Sequence, residues 1–247
     1  MPTLIIGNCI ILVFFIVIGT MLILIVWKNI TGRAIREQQR IAMTNAVAHN
    51  LKTPLCVING FSENLREEDG YLTKQHYIDV IQQQAGDMDA LVHKMLNFSK
   101  LESDSAKVNK QLFNIKTELE TLAERYNNIT DKNIIITADN TDVSADKALM
   151  ELVFENLIEN AIRYSNNNSD IEISFINHTF SVSNECDTIS KKDIKKMWKP
   201  YCRLPRNEEV RGTGIGLSIV RQILKIHKIK PCTEYTSGKL IISFEMK

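Results

Sequence analysis

No charged side chain occurs between Leu4 and Trp27. At 1.5 Å of rise per residue a helix over this run is roughly 36 Å long, enough to cross a hydrocarbon core of ~30 Å. A transmembrane helix over residues 4–27 is the expectation. A secretory signal peptide competes with it, but Met1-Pro2-Thr3 brings no basic side chain. The apolar run is also too long for a signal peptide, and no small-x-small cleavage site follows. A buried core helix is the bland alternative. Trp27 stands where an interfacial aromatic would, and Lys28, Arg33, Arg36 and Arg40 follow it. The positive-inside rule then puts the carboxyl side in the cytoplasm, with a single pass and little chain beyond the bilayer.

After Gly32 the apolar spacing becomes helical. Ile41, Thr44, Ala48, Leu51, Leu55, Ile58, Ser62 and Leu65 step by three and four, as an a/d seam does. Glu67-Glu68-Asp69-Gly70 supplies turn chemistry. A second seam follows in Tyr77, Ile81, Gln84, Met88, Leu91, Met95 and Phe98. Two antiparallel helices cannot bury both seams alone. A homodimer forming a four-helix bundle over residues 33–104 solves this. The alternative is a hairpin packed on its own C-terminal domain.

From Asn109 the pattern is mixed. Helices are expected over Ile115–Tyr126, Asp146–Tyr164 and Ser218–Ile226. Strands are expected over 133–137, Asp170–Ile176, Thr179–Ser183 and Lys239–Met246, with Asn177-His178 as a hairpin turn. This order predicts an α+β sandwich over residues 109–247, with helices on one face of a mixed sheet. His178 fits a turn and His227 a helix end, so neither is given a function.

The formal charge of +1 makes no case for nucleic acid as a partner. The five cysteines form no CxxC pair and no metal-ligand spacing, which reads as free thiols in a reducing compartment.

Three groups of residues carry candidate chemistry. His49 lies beside seam residue Ala48, at the seam's edge and facing solvent, with Thr53 one turn on along the same face. Pro54 removes a hydrogen bond to Asn50 and predicts a kink. The imidazole is a candidate nucleophile; the bland reading is a surface histidine. On the long helix, Asn156 and Asn160 are one turn apart, on the face away from the apolar stripe. Their amide oxygens suit Mg²⁺. Arg163, three residues past Asn160, is a candidate to neutralise phosphate charge, and Tyr164 either stacks on a base or caps the core. Gly212, Gly214 and Gly216 precede an apolar helix start, where backbone N–H groups and the helix dipole favour phosphate. A lone GxGxG also occurs in plain loops. A Rossmann site needs a strand before it, and here a polar loop with Arg203, Arg206 and Arg211 stands instead. That loop reads as a mobile lid.

Together these segments resemble the membrane sensor histidine kinases of bacterial two-component systems, from about Gln39 to the end. Residues 48–55, AHNLKTPL, resemble the phosphoacceptor box, and 155–165, ENLIENAIRYS, the N box. Residues 211–220, RGTGIGLSIV, resemble the second glycine box, and Met197-Trp198-Lys199-Pro200-Tyr201 the aromatic box. The resemblance implies a dimerising phosphoacceptor hairpin followed by an ATP-binding sandwich of the gyrase and Hsp90 type. It implies His49 as phosphoacceptor and Asn160, helped by Asn156, as Mg²⁺ ligands. It further implies Arg163 and Tyr164 at phosphate and adenine, and Gly212, Gly214 and Gly216 along the phosphates. Thr53 matches the position that orients water when the regulator is dephosphorylated. ATP and Mg²⁺ are the implied cofactors, and the implied acceptor is an aspartate of a response regulator. The stimulus is expected through the bilayer or a partner membrane protein.

Two departures stand out. The carboxylate that usually follows the phosphoacceptor is Asn50, a poor base. The first glycine box, normally Asp-x-Gly-x-Gly, reads Asn184-Glu185-Cys186-Asp187-Thr188, so Asn184 stands where the adenine-reading Asp belongs. These departures motivate a second reading, a membrane-tethered pseudokinase, regulator-binding scaffold or phosphatase with little autokinase activity. A plain ATPase of the same sandwich type is a third.

Overall fold

The computed structural model describes residues 2–66, 74–102, 108–166, 169–202 and 214–246. It divides into two compact units, Met1–His49 and Asn50–Lys247. The first unit is helical throughout. Helix α1 begins at Pro2 and continues to Arg66 in the second unit, without a break at Gly32 or Pro54. Its stretch Phe14–Gly32 is long and apolar enough to cross a membrane, and none of that stretch is buried.

In the second unit the end of α1 is followed by α2, Lys74–Glu102. The turn expected at 67–70 lies outside the described residues. Tyr77, Gln84, Leu91 and Phe98 are buried at seven-residue intervals, and Ile81, Met88 and Met95 between them are half-buried. The predicted second seam is therefore the inner face of α2. Phe61 of α1 meets the Tyr77 ring edge-on at 5.7 Å. Leu55, Ile78, Val92 and Leu96 remain exposed.

The rest of the unit is an α/β lobe. A two-stranded sheet pairs β1 (Gln111–Asn114) with β3 (Asp142–Ala145). A five-stranded sheet has the order β2-β4-β5-β7-β6. Its strands are β2 (Ile134–Ala138), β4 (Ile171–Ile176), β5 (Thr179–Glu185), β6 (Cys232–Thr236) and β7 (Lys239–Glu245). The β2–β4 pair is parallel and the others antiparallel. The helices are α3 (Ile115–Asn127), α4 (Lys147–Tyr164), the short α5 (Lys191–Lys196) and α6 (Gly216–Ile226). The α+β expectation holds. The strands β1, β3 and β6 and helix α5 were not anticipated: each has four to six residues, too few to display a period.

Alternation builds the core. Ile171, Ile173 and Phe175 of β4, Phe180 and Val182 of β5, and Leu240, Ile242 and Phe244 of β7 are buried on one face. Phe180 lies at the centre, its ring 4.9 Å from both Phe154 of α4 and Phe244. Helix starts are capped as their sequences dictate. Asn114 Oδ1 accepts from the Thr117 backbone N–H, and Asp146 Oδ1 from that of Leu149. Asn177 and His178 both adopt positive φ, 51° and 62°, as a two-residue hairpin loop requires. His227 is structural: its Nε2 accepts from the Asp146 N–H, and its Nδ1 faces the Ile223 carbonyl at 2.9 Å. It ties the end of α6 to the start of α4.

Truncating Phe180 to alanine should destabilise the lobe by about 3–5 kcal/mol, because the neighbouring rings cannot collapse into the cavity. Denaturant unfolding of the variant against wild type measures this.

Candidate nucleotide site

Three elements converge at one end of the lobe. Helix α4 delivers its last two turns, α6 delivers its first, and β5 delivers its carboxyl end. The backbone ties them. Asn166 N–H donates to the Glu185 carbonyl at 2.8 Å, and Lys132 Nζ donates to the carbonyls of Ser165 and Asn166 at 3.1 and 2.8 Å. The exit of α4 is thereby fixed beside the end of β5, where Asn184 lies.

Asn156 departs from expectation. It is buried, at 4% exposure, and does not lie on an outward face. The reason is α6, which packs across α4 and covers that part of it. Asn156 Nδ2 donates to the Leu152 carbonyl at 2.7 Å. Its Oδ1 lies where a side chain on Gly216 would meet it, since a Cβ there would be 2.9 Å away. Gly216 is thus required by the close approach of α6 to an amide. Asn160, one turn on, is half-buried; Arg163 is exposed and Tyr164 half-buried.

The first turn of α6 has the character of an anion site. Its N-cap is Ile215, with no side-chain cap hydrogen bond, and Gly216 adds no side chain. Backbone N–H groups at such an end favour phosphate oxygens. Gly214 adopts φ +68° and a Cβ on it would lie 3.1 Å from the Tyr201 backbone. Its carbonyl accepts from the Tyr201 N–H at 2.9 Å. Trp198 is buried, and its Nε1 donates to Thr233 Oγ1 at 3.0 Å, anchoring the aromatic segment on β6. Gly212 and the expected lid, with Arg203, Arg206 and Arg211, lie outside the described residues. So does the side chain of His49; its backbone is within α1. Asn50 is half-buried and Thr53 exposed.

Asn184 is buried at 4% exposure, and its Nδ2 makes a long contact of 3.4 Å with the Glu185 carbonyl. That orientation leaves Oδ1 as its accepting atom. Beside it, burial raises the Cys186 thiol above its ordinary value, partly offset by a backbone hydrogen bond from Leu240.

A row of carboxylates was missed, although its period of four is visible in the sequence. Glu151, Glu155 and Glu159 line one side of α4. Arg125 of α3 binds Glu155 at 2.6 Å and Glu151 at 3.4 Å. Burial raises the Glu155 carboxyl, with Arg125 acting against it and Glu151 adding to it. Glu159, next to Asn160, pairs with Lys94 of α2 at 2.7 Å and accepts from Tyr126 Oη at 3.4 Å. Burial and the two nearest carboxylates push the Tyr126 phenol well above its usual range. Gln222 Nε2 also donates to the Leu101 carbonyl at 2.9 Å. Helix α2 therefore contacts the lobe, which realises part of the alternative packing for the hairpin.

An ATP-binding lobe joined to a helical hairpin defines a class, and sequence comparisons agree. Residues 39–104 match the family described as His Kinase A (phospho-acceptor) domain. Residues 145–246 match the family described as histidine kinase-, DNA gyrase B- and HSP90-like ATPase. Sporulation kinase C of Bacillus subtilis is 27% identical over 222 residues, covering 85% of this chain and 50% of that protein. Sensor histidine kinase WalK of Bacillus subtilis is 25% identical over 213 residues, covering 81% of this chain and 35% of that one. The chain thus spans half or less of the length of these curated relatives. The histidine kinase ThkA, solved in complex with response regulator protein TrrA, superposes with a TM-score of 0.66 at 25% identity. That match covers 85% of this chain and 63% of ThkA. Acinetobacter baumannii histidine kinase AdeS shares the fold, with a TM-score of 0.66 at 22% identity over 81% of this chain and 97% of AdeS. The chain belongs to the bacterial two-component sensor histidine kinases.

The Asn156–Gly216 approach generates a coupled prediction. Gly216→Ala should weaken ATP binding by pushing α6 off α4, whereas Gly216→Ala combined with Asn156→Ala should lose less than the two single variants summed. Contacting residues typically couple by about 0.5–3 kcal/mol. Nucleotide titration of the four proteins reads the coupling.

Proposed function

We propose that the chain phosphorylates itself on His49 from Mg²⁺·ATP and passes the phosphoryl group to an aspartate of a cognate response regulator. One observation carries the ATP half of this reading: the amide face of α4 meets an α6 start that has neither side chain nor side-chain cap. The match of residues 39–104 to a phosphoacceptor domain supports the histidine half. The complex of ThkA with a response regulator supports the class of partner.

In this mechanism the first N–H groups of α6 cradle phosphate oxygens, and Arg163 adds positive charge from the end of α4. Asn160 Oδ1 would hold the metal, helped by Asn156, since amide oxygens suit Mg²⁺. A magnesium ion held there would supply charge neutralisation for the phosphates. Asn184 Oδ1 accepts from the adenine amino group, and Tyr164 lines the base. A nitrogen of the His49 imidazole attacks the γ-phosphorus in line, and catalysis is mostly positioning. Asn50 cannot take a proton, so His49 must react as its neutral imidazole or through water.

The protein is read as a homodimer whose hairpins pair through Leu55, Ile78, Val92 and Leu96, apolar side chains left exposed on the single chain. It is anchored by the apolar start of α1, with the lobe in the cytoplasm of a bacterium. Its stimulus arrives through the bilayer or a partner membrane protein. Asn50 and Asn184 favour one second reading, a regulator-binding scaffold or phosphatase with weak autokinase. The exposed Thr53 would then orient water on the regulator's phosphoaspartate.

Labelled ATP distinguishes the two. Wild type should acquire an acid-labile phosphoryl group, and His49→Gln should abolish it with ATP binding retained. Equal labelling of the variant would remove His49 from the mechanism, and no labelling of wild type would favour the scaffold.

Adenine reading at Asn184 supplies a separate test. Hydrogen bonds to charged groups contribute about 1.5–3 kcal/mol, against about 0.5–1.5 for neutral ones. Asn184→Asp should therefore tighten ATP binding by on the order of 1 kcal/mol, or about fivefold. Calorimetric titration that finds no gain would place the adenine contact elsewhere.

A further inference from the structure

At the opposite pole of the lobe lies a second cleft, of about 670 Å³, that the kinase reading does not use. Thr179, at the start of β5, lines it, whereas Asn184 stands at the far end of the same strand. Five residue steps along the strand separate the two by roughly 17 Å. The cleft's volume falls within the range of about 300–1,000 Å³ typical of small-molecule sites.

The lining is rich in uncommitted donors. Lys110, Lys228 and Lys230 border the cleft, and none of their ammonium groups is in an ion pair or hydrogen bond with another described residue. Ser144, Thr179 and Ser243 add three hydroxyl groups that make no side-chain hydrogen bond among the described residues. Glu245 is the one carboxylate in the described lining. Three ammonium groups around one concavity repel each other when it is empty, and a multiply charged anion turns that repulsion into attraction. The wall is built rather than incidental. Both ring nitrogens of His227 are engaged, and Lys228 holds φ +61° in the turn that follows.

We infer that this cleft binds a small phosphorylated molecule carrying two or more phosphate groups. Lysine point charges with hydroxyl donors suit tetrahedral phosphate oxygens. The planar, two-pronged guanidinium that best recognises a carboxylate is missing from the described lining. The site is separate from the nucleotide site and stands whether or not His49 is phosphorylated.

Inorganic pyrophosphate serves as the probe. The full chain, in discs of zwitterionic lipid and saturated with Mg²⁺·ADP to block the nucleotide site, is titrated calorimetrically. One binding event per chain is expected. The double variant Lys228→Ala/Lys230→Ala should bind about tenfold more weakly or worse, since each lost lysine removes a charge-assisted contact. A control, Lys195→Ala/Lys196→Ala on exposed α5, removes the same charge elsewhere and should bind as wild type does. No binding by wild type, or equal weakening in both variants, would overturn the site.

Discussion

The close approach of α6 to α4 is the contact on which the proposed nucleotide site depends. A helix start can offer its N–H groups to phosphate only if nothing else occupies them. Here the first turn of α6 is brought to within a missing methyl group of the Asn156 amide. Gly216 permits the approach, and Asn156, held by the Leu152 carbonyl, defines its limit. Everything else at this end of the lobe serves that arrangement. The aromatic core around Phe180 sets the height of α4 over the sheet. The Lys132 bonds and the Asn166–Glu185 bond fix where α4 ends relative to β5.

The same helix also carries the link to the hairpin. Glu159 pairs with Lys94, and its neighbour Asn160 is the half-buried residue proposed as the metal ligand, so one turn of α4 carries both the contact to α2 and a residue of the proposed site. The row Glu151, Glu155 and Glu159 needs Arg125 and Lys94 to offset its own repulsion. The departures at Asn50 and Asn184 lie on residues to which the proposed function gives roles beside His49 and adenine, while the end of β5 that carries Asn184 keeps its backbone tie to Asn166. An amide in place of a carboxylate alters charge without altering shape, which is why the fold tolerates both.

Long periodic elements were legible in the sequence, and short ones were not. The α4 helix from Asp146, the α2 seam from Tyr77 to Phe98 and the β4–β5 hairpin at Asn177-His178 follow from period and turn chemistry. Strands β1 and β3 depend on each other for hydrogen bonds, and four residues apiece carry no readable alternation. The candidate site could be read from the sequence only as residue types at spacings, whose positions in the fold were not legible. The burial of Asn156 was not, because it depends on a helix sixty residues away folding over it. The second cleft was invisible for the same reason: Lys110, Thr179 and Lys230 are distant in sequence and meet only when the sheet forms.

In the proposed function the amide face of α4, with the start of α6, holds the metal–nucleotide pair. A crystal structure with a non-hydrolysable ATP analogue and Mn²⁺ tests it most directly, because anomalous scattering locates the metal without regard to the protein. One manganese peak is expected at coordination distance from Asn160 Oδ1, with phosphate oxygens against the N–H groups of the first turn of α6. A metal bound elsewhere, or phosphates lying away from Gly216 with Asn160 turned aside, would contradict it.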